Sequence, residues 1–265
     1  MNKKGIYTFF ILTVKVIMDN NQNYKCIQEF NVKYSEMDHN LALKPFYLLN
    51  FLQDIASYNA EELGFGYTYM SSHNYAWFLI KYRMEFDDYP VNIQNLKIKT
   101  RPRGYNKLFA YREFEISNSE KLLGRVFSMW SIVDIQSRQS LLVSNAINEN
   151  NNMITYQKTE NDLQFAKIKP FETSQIIKEF EVRYNDLDVN GHANNGNYIV
   201  WAFEPLNIEF KTNHKIKTLD MVFKKEARFG EKITAQISFK DELTSVHIIK
   251  NEKNEDLCLV ECCWV

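Results

Sequence analysis

Asp188, Asn190 and His192 alternate along the run Asp188-Val189-Asn190-Gly191-His192-Ala193-Asn194-Asn195. They bring together a carboxylate, an amide and the one side chain type that ordinarily titrates near neutrality. A carboxylate can orient an imidazole or raise its basicity, an imidazole can take a proton from water, and an amide can hydrogen-bond a carbonyl oxygen as it gains charge. A helix opening near Asn194 would add backbone N–H donors at its first turn, where the helix dipole favours negative charge. Acyl transfer to water suits these parts. The same spacing also fits a plain Asx turn in which Asp188 and Asn190 serve the backbone and His192 caps or packs. Glu226 is a second candidate carboxylate. Matching Tyr82-Arg83-Met84-Glu85 with Phe223-Lys224-Lys225-Glu226 places it in the strand after the helix, either as a second base or water holder, or as a solvated glutamate paired with Lys224 or Lys225.

The elements that must position these groups occur twice. Glu29-Phe30-Asn31-Val32-Lys33-Tyr34-Ser35-Glu36-Met37-Asp38-His39-Asn40 aligns without gaps on Glu179-Phe180-Glu181-Val182-Arg183-Tyr184-Asn185-Asp186-Leu187-Asp188-Val189-Asn190. Continuing the alignment sets Ala42 against His192, so the histidine belongs to one copy and the other is left a structural or substrate-holding part. Phe46, Leu49, Leu52, Ala56, Ala60 and Leu63 recur at helical spacing, with Pro45 at the start and Gly64 at the end. In the second copy Asn194 or Asn195 can cap a helix carrying Tyr198, Trp201 and Ala202 that Pro205 interrupts.

Alternating or extended segments follow each helix: 96–100, 109–116 and 126–133, then 232–239, 245–249 and 257–265. A helix followed by antiparallel strands buries its apolar stripe on one sheet face. The expected fold is therefore α+β, a tandem hot dog whose halves pair as an internal dimer. Its parts are an N-terminal extension (1–18), a first half (19–150), a connector (151–175) and a second half (176–265).

Composition narrows the function classes. The 265 residues fit one large domain or two small ones, and 45% hydrophobic residues with few glycines and prolines exclude disorder. A net charge of -1 argues against a nucleic-acid partner. Cys26, Cys258, Cys262 and Cys263 form neither a disulfide framework nor a metal pair, which suits a reducing cytoplasm. Lys3 and Lys4 before the apolar run 6–14 offer a weak signal-peptide pattern, interrupted by Lys15 and too short to span a bilayer; an upstream extension before Met18 is the other reading. No dinucleotide fingerprint, phosphate-binding glycine loop or metal motif is present, so no cofactor is expected beyond water as cosubstrate.

The Asp188–Asn195 motif with Tyr198 and Trp201, the segment Thr100–Glu115 and the stretch Trp130–Arg138 together resemble the acyl-acyl carrier protein thioesterases of plants and bacteria, from about Gln28 to the C-terminus. The resemblance implies hydrolysis of a fatty acyl thioester on acyl carrier protein (ACP), with phosphopantetheine arriving on the carrier. It carries the family's catalytic roles onto Asp188, Asn190, His192 and Glu226. Plant members have a cysteine after that glutamate where this chain has Ala227, so direct attack by water replaces an acyl-cysteine route there. By the same resemblance the first half, with Met70, Trp77 and Phe78, lines the acyl tunnel. Lys97, Lys99, Arg101, Arg103 and Lys107 form the densest basic run, suited either to docking the acidic carrier or to ordinary edge-strand charges. A monomer or homodimer without a membrane partner is expected. An acyl-CoA thioesterase and a non-catalytic acyl-thioester sensor are the alternative functions.

Overall fold

The computed structural model describes residues 14–18, 24–147 and 154–265. Most of the signal-like segment lies outside the described residues. In chain order the elements are β1 (Val14–Met18), β2 (Tyr24–Asn31), α1 (Pro45–Glu62), α2 (Tyr67–Ser72), β3 (Tyr75–Phe86), β4 (Asn95–Asn106), β5 (Phe109–Ser117), β6 (Leu122–Asp134), β7 (Ser140–Leu141) and α3 (Val143–Ala146). The second half contributes β8 (Ile176–Glu181), α4 (Asn195–Phe203), α5 (Ile208–Asn213), β9 (Ile216–Phe223), β10 (Lys232–Asp241), β11 (Thr244–Asn251) and β12 (Asp256–Trp264).

The strands form one antiparallel sheet in the order β1-β2-β4-β5-β6-β3-β9-β12-β11-β10-β8, with β7 against β6. From β2 to β3 and from β8 to β9 the connectivity is the same, and the halves join where β3 pairs β9. This is the tandem hot dog expected from the repeat. β1 pairs with β2, so the sheet begins before residue 19.

Local chemistry sets the helix limits. Pro45 occupies the first turn of α1, and Gly64 just beyond its end adopts φ +81°. Asn194 caps α4 by accepting the Gly196 N–H at 2.7 Å, and α4 stops before Pro205. Leu49, Leu52 and Ile55 of α1 are buried against Leu96, Ile98, Phe114 and Ile116 of the sheet. Each such side chain contributes roughly 1.5–3 kcal/mol on leaving water. Tyr198, Ile199, Trp201 and Ala202 of α4 join the same core, which runs across both halves.

At the junction Arg83 lies directly opposite Asp220. Their side chains form an ion pair, and Asp220 Oδ1 also accepts the Ala166 N–H of the connector at 2.9 Å. Burial pushes the Asp220 carboxyl up, with the Ala166 N–H and the guanidinium pulling the other way. The two positions are equivalent in the repeat. Asp87 and Asp88 donate to Leu123 O just as Lys224 and Lys225 donate to Leu257 O, and Arg83 and Asp220 stand equally far before those pairs.

The same bonds revise the expected match of β3 with β9. Leu43 N–H donates to Pro90 O where Ala193 N–H donates to Ala227 O. The bridge Ala42–Val91 corresponds to His192–Arg228. Glu226 is therefore the counterpart of Tyr89 rather than Glu85, and it lies beyond β9 instead of within it.

Candidate active site

The loop before α4 is shaped by Asp188. Its Oδ1 accepts the backbone N–H of Asn190 at 2.8 Å and of His192 at 3.2 Å, closing an Asx turn. Asp38 makes the same bonds to Asn40 (2.8 Å) and Ala42 (2.9 Å) in the half that lacks the histidine. The duplicated aspartate is thus a loop former, and the hydrogen bonds of Asp188 go to backbone rather than imidazole. Gly191 takes the left-handed conformation this turn requires, φ +79°; the matching Leu41 adopts it at φ +60° despite its side chain.

Glu226 instead orients the ring. Its Oε1 lies 3.1 Å from His192 Nδ1, and its Oε2 lies 3.9 Å from Arg138 Nη1. The alternative pairing of Glu226 with Lys224 or Lys225 does not occur, since those lysines bind Asp256 (2.7 Å) and Glu255 (2.5 Å). With Nδ1 as donor to the carboxylate, Nε2 carries the lone pair that a base needs. Burial raises the Glu226 carboxyl above its ordinary range; His192, Arg138 and Arg228 pull it down and Asp188 pushes it up.

Tyr198 fixes this carboxylate from below. Its buried hydroxyl donates to Lys225 O at 3.3 Å and accepts the Ala227 N–H at 2.8 Å, gripping the backbone on both sides of Glu226. In the first half the position of Glu226 is filled by Tyr89, whose hydroxyl donates to Leu43 O at 2.7 Å. Tyr198→Phe is expected to lower kcat by about tenfold or more by loosening Glu226, on the scale that small misplacements cost. KM should move little, while the melting temperature falls by a few degrees because the buried Ala227 N–H loses its acceptor; an unchanged kcat would remove Tyr198 from the positioning of Glu226.

His192 and Glu226 line a cavity of about 520 Å³ at the junction of the halves. Trp77, Phe78 and Ile80 of β3 supply an apolar wall, and a register shift between Leu79 and Lys81 re-aims the strand there. Arg138, Lys224, Lys225 and Arg228 also line the cavity; with Lys224 and Lys225 paired to Asp256 and Glu255, Arg138 and Arg228 give its border most of its cationic character.

Asn190 lines this cavity and is exposed, whereas its counterpart Asn40 is tied up by donating to Thr212 O at 2.9 Å. The α4 amides are fewer than expected. Asn194 takes the Gly196 N–H through its side chain and the Asn197 N–H through its carbonyl, which leaves the Asn195 N–H as the first-turn donor beside the cavity. Met70 is buried in a small cluster with Phe65 and Ile132 and does not line the cavity.

The basic run stands away from this site. Alternation along β4 sends Lys97, Lys99 and Arg101 to the face opposite Leu96, Ile98 and Thr100. There Lys97 pairs with Glu29 (3.2 Å), Lys99 with Glu115 (3.3 Å) and Arg101 with Glu113. Arg103 pairs with Glu113 (2.5 Å) and Asp162 (2.6 Å), and Lys107 is exposed in the turn after β4. Four of the five charges are thus matched by neighbouring carboxylates.

No described cysteine lines the cavity. Burial pushes the Cys26 thiol up to about 11 and the Cys258 and Cys262 thiols higher still, which opposes thiolate chemistry. Among the described residues no helix is long and apolar enough to cross a membrane.

Arg138 and Tyr198 are the site residues that spacing did not single out for a role. Arg138 sits in the turn after β6 of the first half and reaches the carboxylate of the second, a contact invisible to any local motif.

The fold is that of a double hot-dog protein, with the His–Glu cavity where its halves meet. The acyl-ACP thioesterase N-terminal domain matches residues 23–150 and the acyl-ACP thioesterase C-terminal domain matches 169–265, so the chain belongs to the acyl-ACP thioesterase family. An acyl-[acyl-carrier-protein] hydrolase of Cuphea viscosissima is 23% identical over 255 residues, covering 89% of this chain and 61% of that protein. An oleoyl-ACP thioesterase of Coriandrum sativum is 23% identical, covering 87% and 66%. The chain spans between about half and two thirds of the length of the plant relatives. Among solved structures, an acyl-ACP thioesterase from Bacteroides thetaiotaomicron superposes with TM-score 0.82 at 22% identity, covering 91% of this chain and 98% of that one. The 12:0-ACP thioesterase of Umbellularia californica gives 0.80 at 16% identity, covering 91% and 97%.

Proposed function

We propose that this chain hydrolyses the thioester of a fatty acyl-ACP to the free acid and the carrier thiol. The observation that carries the reading is the His192–Glu226 pair, 3.1 Å apart, in the wall of a cavity of about 520 Å³ that continues onto apolar β3. His192 Nε2 takes a proton from water as its oxygen attacks the thioester carbonyl. Glu226 stabilises the imidazolium through Nδ1–H. The oxyanion is met by the Asn190 amide and the Asn195 N–H. Collapse expels the thiolate, which takes the proton from His192 and leaves as thiol. Asp188 acts earlier, by holding the His192 backbone. Asn190, the Asn195 N–H and His192 are the groups that meet the reacting atoms, and Glu226 acts through the His192 ring.

Arg138 and Arg228, the cations on the cavity border that Asp256 and Glu255 do not match, suit the phosphate of phosphopantetheine and an acidic carrier better than the neutralised row on β4. Release of free thiol from acyl-ACP and acyl-CoA panels tests the function. Preferential turnover of acyl-ACP is expected, with KM for acyl-ACP rising on charge reversal at the border and not at Lys97 or Lys99. Higher kcat/KM on acyl-CoA would assign the other carrier, and binding without turnover would make the chain a sensor.

A pH profile gives a second check. Activity falls along an acid limb as the Glu226 carboxyl, raised by burial, takes up a proton and ceases to accept from His192 Nδ1. Arg138 lowers the Glu226 carboxyl, so Arg138→Gln makes protonation easier and moves that limb to higher pH. A shift to lower pH, or none, would contradict the contact.

A further inference from the structure

A second, smaller pocket of about 70 Å³ lies between α1 and the sheet of the first half, lined by Ala56, Ala60, Phe65, Trp77, Trp130 and Arg112 among others. Trp77 stands in the wall of both this pocket and the His192 cavity, its indole N–H held by Phe65 O at 2.8 Å. The pocket is mainly apolar; Ser57 and Tyr111 add hydroxyl-bearing side chains, and its one charged lining residue is Arg112, which is 6% exposed.

A buried guanidinium ordinarily has a carboxylate partner. Among the described residues Arg112 has none: its Nη1 donates to Asn59 Oδ1 (2.7 Å) and to Thr100 Oγ1 (3.2 Å), both neutral. Burial pulls the guanidinium down to about 10, which still leaves it charged at neutral pH. Two further polar atoms nearby, Asn59 Nδ2 and Tyr82 Oη, are buried with no hydrogen-bond partner. The cluster therefore holds a charge and unspent hydrogen-bonding capacity beside an apolar pocket.

The fold itself does not demand a cation there. Arg112 faces Ser128 on β6, and the equivalent residue facing Cys262 on β12 is Ser245. Ser245 is satisfied by neutral partners, His247 Nε2 and Trp264 Nε1–H, both at 2.8 Å. One half closes this position with a complete neutral network; the other leaves a guanidinium.

We propose that the Arg112 pocket receives the far end of an acyl chain bearing an oxygen acceptor there, a terminal hydroxyl or carboxylate, which the guanidinium binds. This rests on the thioesterase reading and specifies its substrate class. A chain entering at His192 and following β3 past Trp77 would bring its last carbons to Arg112. A bare methyl end leaves the charge unanswered, while an oxygen supplies the missing acceptor.

The test compares octanoyl-, lauroyl- and palmitoyl-ACP with partners of equal length carrying a terminal hydroxyl or a terminal carboxylate. At the length that fits, wild type should favour an oxygen-ended chain about tenfold or more in kcat/KM, the scale of a hydrogen bond to a charged group. The hydroxyl and carboxylate arms show which oxygen is taken. Arg112→Met should abolish the preference and improve turnover of the plain chain, with Arg112→Gln as the second variant if the first does not fold. Wild type favouring plain chains at every length, or both members of each pair falling equally in Arg112→Met, would overturn the proposal. Calorimetric binding of the matching free acids to wild type keeps the two readings apart. Hydrolysis of no thioester counts against the proposed function, whereas equal or weaker binding of the oxygen-ended acids counts against the Arg112 site.

Discussion

His192→Ala is expected to lower kcat on acyl-ACP by about 10²–10⁴-fold, the usual contribution of a general base. Among the described residues the ring makes no hydrogen bond that holds the fold together: its contacts are Glu226 and the cavity, while the loop is closed by backbone bonds to Asp188 that alanine retains. Steady-state kinetics should therefore show the loss in kcat, with KM and melting temperature near wild type. Glu226→Ala should give a loss of similar order through the same ring. The double variant should be little worse than either single one, because the two act as a unit. Near-normal turnover in either single variant would end the assignment.

Arg83→Met is expected to be the most damaging change for stability. It leaves Asp220 buried at the junction of the halves with only the Ala166 N–H as partner, and removing one member of a buried pair costs about 3–5 kcal/mol. Arg83 also holds Glu85 at 2.6 Å, a half-exposed contact of less weight. Denaturant unfolding should show a lower midpoint at an unchanged slope. Adding Asp220→Asn removes the stranded charge and should restore part of the loss. A shift below about 1 kcal/mol would place the pair among ordinary surface contacts.

Much of this architecture could be read from residues alone. The repeat from Glu29 to Asn40 carries its own explanation, because Asp38 and Asp188 build the same turn with the same backbone bonds. The helix of Pro45–Glu62 was legible from an apolar stripe bounded by a proline and a glycine. What local spacing could not supply was partnership at long range. The similarity of Tyr-Arg-Met-Glu to Phe-Lys-Lys-Glu slid the two strands out of register, and only the bonds to Leu123 and Leu257 fix the match. The lysines and arginines of β4 alternate correctly for one face, yet their neutralisation depends on Glu29, Glu113 and Glu115 arriving from strands on either side. For His192 the motif picked out the histidine, while the carboxylate 3.1 Å from its ring came from the loop after β9 and the guanidinium beside that came from the other half.

The pairing of Arg83 with Asp220 has a consequence for how the halves could ever assemble. They occupy equivalent positions, so in a symmetric dimer built from either half alone the residue at this position would face its own copy. Two first halves would set arginine against arginine, and two second halves aspartate against aspartate, each a buried like-charge clash. Only the mixed arrangement neutralises the centre. Covalent tandem linkage is thus more than a tether: the charges at the seam repel a second copy of either half and attract the other half.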